Sequence, residues 1–166
     1  GHRQAAGIGL AGHVEGALPG GLMPPVLTQR VAQGAAGNLG QLGQGLEGLT
    51  IVKPPYGVLA AIDVNKGDLM FQVPHGDTPD VVRNHPLLKG MNIPKTGQGG
   101  SVGVLITNTL VIVGDPQRTT RDGRRGAYLR AYDKKTGAQV GEVYMPTQIS
   151  GSPMTYQIDG RQFIVV

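Results

Sequence analysis

Two histidines and two aspartates stand close together near the middle of the sequence and could bind a metal. They form the run H-G-D-T-P-D-x4-H, which comprises His75, Asp77, Asp80 and His85. Imidazole and carboxylate are ligands that suit zinc or iron. However, the spacing matches none of the standard metal-binding signatures, and Pro79 makes the segment irregular. The alternative is a surface loop in which these side chains cap turns, and we assign no metal ligand to the chain.

A glycine-rich segment, Thr96-Gly97-Gln98-Gly99-Gly100-Ser101, precedes an apolar run and could approach a flat cofactor. Glycine has no Cβ atom, so its backbone can come unusually close to a planar ring. Gly99 and Gly100 are therefore the candidate cofactor-binding residues, and an ordinary glycine-rich turn is the alternative. We assign no catalytic residue, because the chain lacks Cys and nothing pairs its four His with a particular nucleophile.

A second glycine pattern, G-x-G-x-x-G from Gly7 to Gly12, could be mistaken for a dinucleotide-binding motif. Such a site needs a strand before it, a helix after it and an acidic residue about 20 residues further on. The segment that follows contains Pro19, Gly20 and Gly21, and no acid stands between Leu27 and Arg30. We interpret this match as chance.

The positive charge is concentrated in one predicted loop. The formal net charge is +4, and the arginines of residues 115–126 are Arg118, Arg121, Arg124 and Arg125, tempered by Asp115 and Asp122. A nucleic-acid surface would interleave aromatic residues or form a basic face, and the sequence shows neither here. We interpret the cluster as a solvated loop and expect no nucleic-acid partner.

The composition divides the chain near residue 50. Gly (28) and Pro (12) are frequent among the 166 residues, and residues 1–50 contain thirteen of the glycines, no aromatic residue and only four charges. Such a stretch has too little large apolar surface to offset its ordering entropy. We expect residues 1–49 to be a poorly ordered, low-complexity Gly-rich loop or linker, and residues 50–166 to fold.

Residues 50–166 are predicted to be all-β. Short alternating runs predict strands at 58–64, 68–73, 102–107, 109–113, 127–133, 139–145, 154–158 and 162–166. Asp159-Gly160 between two such runs is a strong hairpin signal. Residues 74–100, with four prolines, and residues 115–126 are predicted to be loops, and the pair 102–107 and 109–113 is apolar enough to be buried on both faces.

An internal repeat accompanies these strands. The pattern L-x-A-x-D-x-x-x-G occurs at residues 59–67 and again at 129–137. Propeller blades repeat at roughly 40–50 residues, and the long 74–100 loop accounts for the larger spacing seen here. The Asp can accept hydrogen bonds from the turn it opens, and the Gly can supply the positive φ that closes it. We therefore interpret Asp63 and Asp133 as structural rather than catalytic.

With these residues identified, the chain resembles the quinoprotein dehydrogenases, whose blade motif is A-x-D-x-x-x-G-x-x-x-W. The two copies are Ala61-Asp63-Gly67-Phe71 and Ala131-Asp133-Gly137-Gly141, and both depart at the last position. The runs KPPYGVLAAIDVNKGD, LRAYDKKTGAQVGEVYMP and GSPMTYQIDGRQFIVV are similar to the C-terminal part of the glucose dehydrogenase branch. The resemblance covers residues 49–166.

The resemblance implies an eight-bladed β-propeller, of which residues 50–166 would supply about one complete blade and two half blades. It implies pyrroloquinoline quinone (PQQ) near the axis, a bound Ca²⁺ and a periplasmic location in a bacterium. The reaction implied is oxidation of a glucose-like sugar or an alcohol, with electrons passing to a quinone or cytochrome. In this setting, one interpretation of the 74–100 loop is that it lines the propeller mouth and shapes substrate access, and an ordinary surface loop is the alternative. The catalytic carboxylate and metal ligands of such enzymes lie mostly upstream of this part.

Two other interpretations stay open. A non-catalytic propeller, used as a scaffold or in envelope assembly, would share the repeat, and the missing blade aromatics favour it. Alternatively, the chain is a segment of a longer protein and is inactive alone, because fewer than three blades cannot close a propeller. The absence of an initiator Met and the apolar last residues favour a segment.

No apolar run approaches the roughly 18 residues that span a bilayer, so membrane association would come only through parts outside this sequence.

Overall fold

The computed structural model describes residues 26–28, 49 and 52–166. The strands are β1 (Val26–Thr28), β2 (Val58–Asp63), β3 (Asp68–Pro74), β4 (Val104–Ile106), β5 (Leu110–Gly114), β6 (Thr119–Arg121), β7 (Arg124–Asp133), β8 (Gln139–Met145), β9 (Met154–Ile158) and β10 (Arg161–Val165). Two short helical turns, α1 (Asp80–Arg83) and a 3₁₀ turn (Pro86–Leu88), interrupt the long loop. The G-x-G-x-x-G match and most of the predicted linker lie outside the described residues.

A four-stranded antiparallel sheet forms the centre of the described structure. Its strand order is β4-β5-β7-β8, and β6 pairs with the first three residues of β7. Strand β5 is buried on both faces, as its unbroken apolar sequence predicts. Strand β4 differs from the prediction, because Ile106 is 40% exposed.

Two smaller sheets belong to the described structure beside the central one. One contains β1, β2 and β3, and the other is the β9–β10 hairpin. Leu59 and Ala61 of β2 pack with Val111, Val113 and Tyr132 of the central sheet in one core. A second core joins Ile112 and Leu129 to Ile149, with Ile164 of β10 packed against it. Alternate residues of the central strands therefore enter different cores, as the two-residue period of a strand requires.

The predicted strands are confirmed within one to three residues at their ends, and one predicted loop is wrong. Residues 115–126 include the β6–β7 hairpin, whose turn is Asp122-Gly123 with φ of +52° and +75°. Asn and Asp tolerate this left-handed backbone better than other non-glycine residues do, and glycine adopts it freely. The same dipeptide, Asp159-Gly160, closes the predicted β9–β10 hairpin.

The two turns of the repeat, each opened by an Asp and closed by a Gly four residues later, have the predicted structural role. The Asp133 carboxylate accepts hydrogen bonds from the backbone N–H groups of Lys135 (3.0 Å) and Thr136 (2.8 Å). Bonds from the Thr136 backbone N–H, and then from its hydroxyl, lower the pKa of Asp133. Gly137 closes the turn at φ +73°, and Asp63 similarly accepts from the Asn65 N–H at 2.9 Å. Within the described residues, no helix is long and apolar enough to cross a membrane.

Candidate functional site

A buried cluster of charged side chains lies between the central sheet and the long loop. Its centre is Arg130 of β7, whose side chain is only 1% exposed. The Arg130 guanidinium donates through Nε to Asp115 Oδ1 at 2.6 Å and through Nη2 to Asp115 Oδ2 at 2.7 Å. This is the two-pronged pairing that makes arginine–carboxylate contacts strong and directional. It ties the centre of β7 to the segment that follows β5.

Two more carboxylates complete the surroundings of Arg130. Asp77, from the long loop, lies 3.0 Å from Nη2, and Glu142, from β8, lies 2.9 Å from Nη1. Burial acts to lower the pKa of Arg130, but the hydrogen bonds and charge of Asp115, followed by the charge of Asp77, raise it above its ordinary value. Arg130 is therefore a permanent cation that joins three separate segments of the chain.

A second arginine closes the cluster at its solvent side. Arg121 of β6 forms an ion pair with Glu142, and its Nε donates to the Tyr128 hydroxyl at 3.0 Å. The guanidinium also lies 3.8 Å from the centre of the Tyr128 ring. Asp77 Oδ2 is 3.9 Å from Arg121 Nη1 and has no hydrogen-bond partner within the described structure. The two arginines thus face three carboxylates, so the charges largely cancel.

Lys95, from the end of the long loop, lies at the edge of this cluster. Its Nζ donates to Gln139 Oε1 at 2.7 Å, and the Gln139 amide donates in turn to Glu142 at 3.0 Å. Burial, and then the positive charge of Arg130, lower the pKa of Lys95. Charge-assisted hydrogen bonds connect the members of the cluster, although Asp77 Oδ2 has no hydrogen-bond partner within the described structure. Such a network holds a loop in place.

His75 is completely buried beside this cluster and is fixed in one tautomer. Its Nε2 lies 3.0 Å from the Gly114 carbonyl oxygen, which can only accept, so Nε2 carries the proton. Nδ1 then accepts from the Tyr132 hydroxyl at 3.0 Å. Burial lowers the pKa of His75, opposed by the Gly114 hydrogen bond. Burial also raises the pKa of Tyr132 well above its ordinary value. The pair is a neutral structural contact between the loop and the sheet.

The four side chains considered for metal binding have different partners. Asp80 accepts from the Thr120 N–H at 2.9 Å, and the His85 ring accepts from the Leu87 N–H in the 3₁₀ turn at 3.3 Å. His75 and Asp77 are engaged as described above. Within residues 52–166, no three His, Asp or Glu side chains converge on one point. The alternative, in which these side chains cap turns of a surface loop, describes His85 but not His75, which is buried against the central sheet.

The glycine-rich segment before β4 is buried against the chain itself. The Gln98 N–H donates to the His75 carbonyl at 2.7 Å, and Gly97 has φ +69° with no room for a Cβ beside Gly57. The Gly99 carbonyl accepts from the Gln117 side-chain amide at 2.6 Å. A Cβ at Gly100 would collide with Pro116. Close packing within the protein accounts for these glycines, and cofactor binding by Gly99 and Gly100 stays a prediction.

Sequence reasoning missed the residues that build the cluster. Arg130 lies between Tyr128 and Tyr132, at alternate positions of one strand, and all three are buried. Alternate residues of a strand share a face, so this arginine had to enter the same interior as the two aromatic rings. That position was the available signal. Its partners Asp115 and Glu142 come from other parts of the chain, and the sequence around them gave no signal of this contact.

The central sheet, its repeated Asp-Gly turns and the sheets beside it are consistent with the class of β-propeller proteins. The chain belongs to the family described as "PQQ: Glucose/ethanol/alcohol dehydrogenase, beta-propeller domain", whose model matches residues 28–164. The resemblance seen in the sequence covered residues 49–166. The family match begins earlier and also includes residues 28–48.

Three curated proteins illustrate the range of relatives. Quinoprotein glucose dehydrogenase A of Acinetobacter calcoaceticus is 29% identical over 119 residues. A probable quinate dehydrogenase (quinone) of Xanthomonas campestris pv. juglandis is 32% identical over 127 residues. The glycerol dehydrogenase large subunit of Gluconobacter thailandicus is 28% identical over 122 residues. Each alignment covers 72% of this chain but only 14–15% of the relative.

Among the described residues, neither Arg130 nor the backbone at Gly99 and Gly100 offers a free contact surface to a quinone cofactor. A planar quinone that bears carboxylates needs free cations and a flat slot. Arg130 is already saturated by three carboxylates, and the backbone at Gly99 and Gly100 is covered by Gln117 and Pro116. A cavity of about 140 Å³ exists beside β8, but its lining is mostly apolar. Among the described residues, we therefore assign none to the cofactor from its contacts.

Proposed function

We propose that this chain is part of a PQQ-dependent dehydrogenase that oxidises a sugar or another alcohol and passes the electrons to a quinone or cytochrome. The observation that carries the proposal is the family match over residues 28–164. The named activities of the relatives favour a polyhydroxylated substrate, since they act on glucose, quinate or glycerol by name. An eight-bladed propeller, Ca²⁺ and a periplasmic location are further parts of the proposal.

This segment would contribute architecture to that enzyme. Arg130 fastens the long loop to the central sheet through Asp77, and His75 does the same through Tyr132. In the proposed propeller, the long loop lies at the mouth and shapes substrate access. The chain spans about one seventh of the length of its relatives, so the reacting groups would be supplied elsewhere. The isolated chain is then expected to be inactive.

The test is a titration of the full gene product that contains this chain. PQQ and Ca²⁺ are added to the purified protein, and dye reduction is followed with glucose, quinate, glycerol and simple alcohols. Activity that saturates with PQQ is the expected result, and the substrate series then identifies the alcohol. A folded protein that binds no PQQ in equilibrium dialysis contradicts the proposal.

One observation favours a second function, a non-catalytic propeller used as a scaffold or in envelope assembly. Gly141 stands where the blade motif has its aromatic residue, and a Cβ added there meets no heavy atom within 4 Å. A scaffold has no cofactor geometry to preserve and can tolerate looser packing. The titration separates the two functions, since only the enzyme binds PQQ.

A further inference from the structure

The β6–β7 hairpin carries a group of arginines that the cluster around Arg130 does not use. We call residues 118–126 the arginine hairpin. Arg118, Arg124 and Arg125 are exposed, and none forms an ion pair with another described residue. Arg121 differs from them, because Glu142 and Asp77 balance its charge. Three guanidiniums without an ion-pair partner among the described residues therefore lie close together in the chain on one short projection, whose turn also carries the exposed Asp122.

The base of the arginine hairpin is held in a fixed shape. The Arg124 guanidinium lies 4.0 Å from the centre of the Tyr144 ring, and the Tyr144 hydroxyl donates to the Arg125 carbonyl at 3.2 Å. Tyr144 meets the Tyr128 ring edge to face at 5.8 Å. Gly126 leaves no space for a Cβ beside Tyr144. Strand pairing of Thr119 with Gly126 fixes the other side.

The position of the Arg124 guanidinium over the Tyr144 ring has a chemical consequence. A guanidinium that lies over a ring keeps the N–H groups in its plane available, and these match the two oxygens of a carboxylate. Because the ring already orients the planar guanidinium of Arg124, which we call the Arg124 fork, less conformational entropy is lost when a partner binds. The arrangement suits an anion with a defined orientation rather than diffuse negative charge.

We propose that the arginine hairpin is a docking surface for a protein partner that presents clustered carboxylates. Charge complementarity and the oriented Arg124 fork support this partner. An anionic lipid surface is disfavoured, because residues 118–126 contain no large apolar side chain that could enter a bilayer. The proposal goes beyond the dehydrogenase function, and its test requires no catalytic activity.

The test uses the full gene product and a fluorescent hexaglutamate peptide as the probe. The triple variant R118Q/R124Q/R125Q is compared with the matched control K66Q/K89Q/K135Q, which loses the same charge at exposed sites away from the hairpin. We expect the arginine variant to lose about tenfold or more in affinity at low salt, and the lysine variant to stay within about twofold of the wild type. Equal losses in both variants would show a general charge effect and overturn the proposal.

Two further measurements sharpen the result. Vesicles of phosphatidylglycerol and phosphatidylcholine replace the peptide in a parallel experiment, and arginine-dependent binding to vesicles without binding to hexaglutamate overturns the protein partner. The variant Tyr144→Leu removes the ring beneath Arg124 and keeps every charge. We expect it to weaken peptide binding about threefold or more, and unchanged affinity contradicts the oriented fork. Circular dichroism melting curves confirm that each variant is folded.

Discussion

Asp77 and Arg130 form an ion pair of 3.0 Å that joins the long loop to the centre of β7. The side chains are 12% and 1% exposed, so water screens the pair weakly. Asp115, which directly follows β5, pairs with the same guanidinium, and its side chain is fully buried. Arg130 therefore helps to hold the loop against the sheet, together with His75.

Replacing Arg130 with Gln should destabilise the protein strongly. The substitution leaves the Asp115 carboxylate buried without its counter-charge, which typically costs about 3–5 kcal/mol. The free energy of unfolding of the full gene product, measured in urea, should fall by that amount. The exposed Lys135→Gln variant serves as the control and should stay within about 0.5 kcal/mol of the wild type. A loss below about 1 kcal/mol for Arg130→Gln would show that the pair does not organise the fold.

His75 should make stability depend on pH in mildly acidic solution. Burial lowers the pKa of its imidazole below the ordinary 6.5, so below that pH the unfolded chain binds a proton that the folded chain does not. Stability therefore rises with pH in this window and is lost as the pH falls from about 7 toward 5. One proton contributes 1.36 kcal/mol per pH unit, so the loss is at most about 2 kcal/mol by pH 5.

The comparison that isolates this effect is His75→Gln. The variant should be less stable at pH 7, because Tyr132 and Gly114 lose their shared partner, but its stability should change less between pH 7 and pH 5. Thermal midpoints of both proteins, measured at half-unit steps of pH, give the two slopes. Parallel profiles would mean that His75 is protonated as readily in the folded protein as in the unfolded one.

The strands were predictable because each is a local pattern. β8 and β9 match the predicted ranges at both ends, since alternation and the flanking Gly and Pro residues are read within a few positions. The β6–β7 hairpin was missed although Asp122-Gly123 is a hairpin dipeptide. Its flanking residues are arginine and threonine, so the alternating apolar pattern that indicates strands on either side of a hairpin turn is absent.

The charged cluster was not predictable, because its members come from distant positions. Asp77, Asp115 and Arg130 meet only when the loop folds over the sheet, and no local rule connects them. Proximity in sequence likewise does not show which partners the residues considered for metal binding have. His75 and His85 are close in sequence, but one is bound to Tyr132 and the other caps its own helical turn.

The isolated chain should associate rather than remain a stable monomer. Large apolar side chains are exposed on β8 and on the β9–β10 hairpin, including Val140 at 57%, Met154 at 56% and Ile158 at 55%. Exposed apolar strands with free edges pair readily with other chains. Light scattering during heating should show aggregation at micromolar concentration. A reversible, cooperative transition of a monomer, measured by calorimetry and sedimentation, would contradict this prediction.

Gly141 offers the clearest opportunity to stabilise the fold. In the first copy of the repeat, the equivalent position is Phe71, whose ring lies against Gly137 of the second copy. At Gly141 the corresponding space is open, beside a cavity of about 140 Å³ lined by Ile112, Leu129 and Val140 among others. Gly141→Trp should bury apolar surface there and raise the stability of the full gene product by about 1–3 kcal/mol.

The control for this prediction is Gly137→Ala. Gly137 has φ +73° and already touches Phe71, so an added methyl group should strain the backbone and displace the ring. We expect a loss of about 1–3 kcal/mol for this variant. Thermal midpoints of the two variants should therefore move in opposite directions. Gly141→Trp could instead also lower the midpoint. That result would show that another part of the full protein already occupies the space beside β8. The missing aromatic residue of the blade motif would then be replaced by that part of the protein.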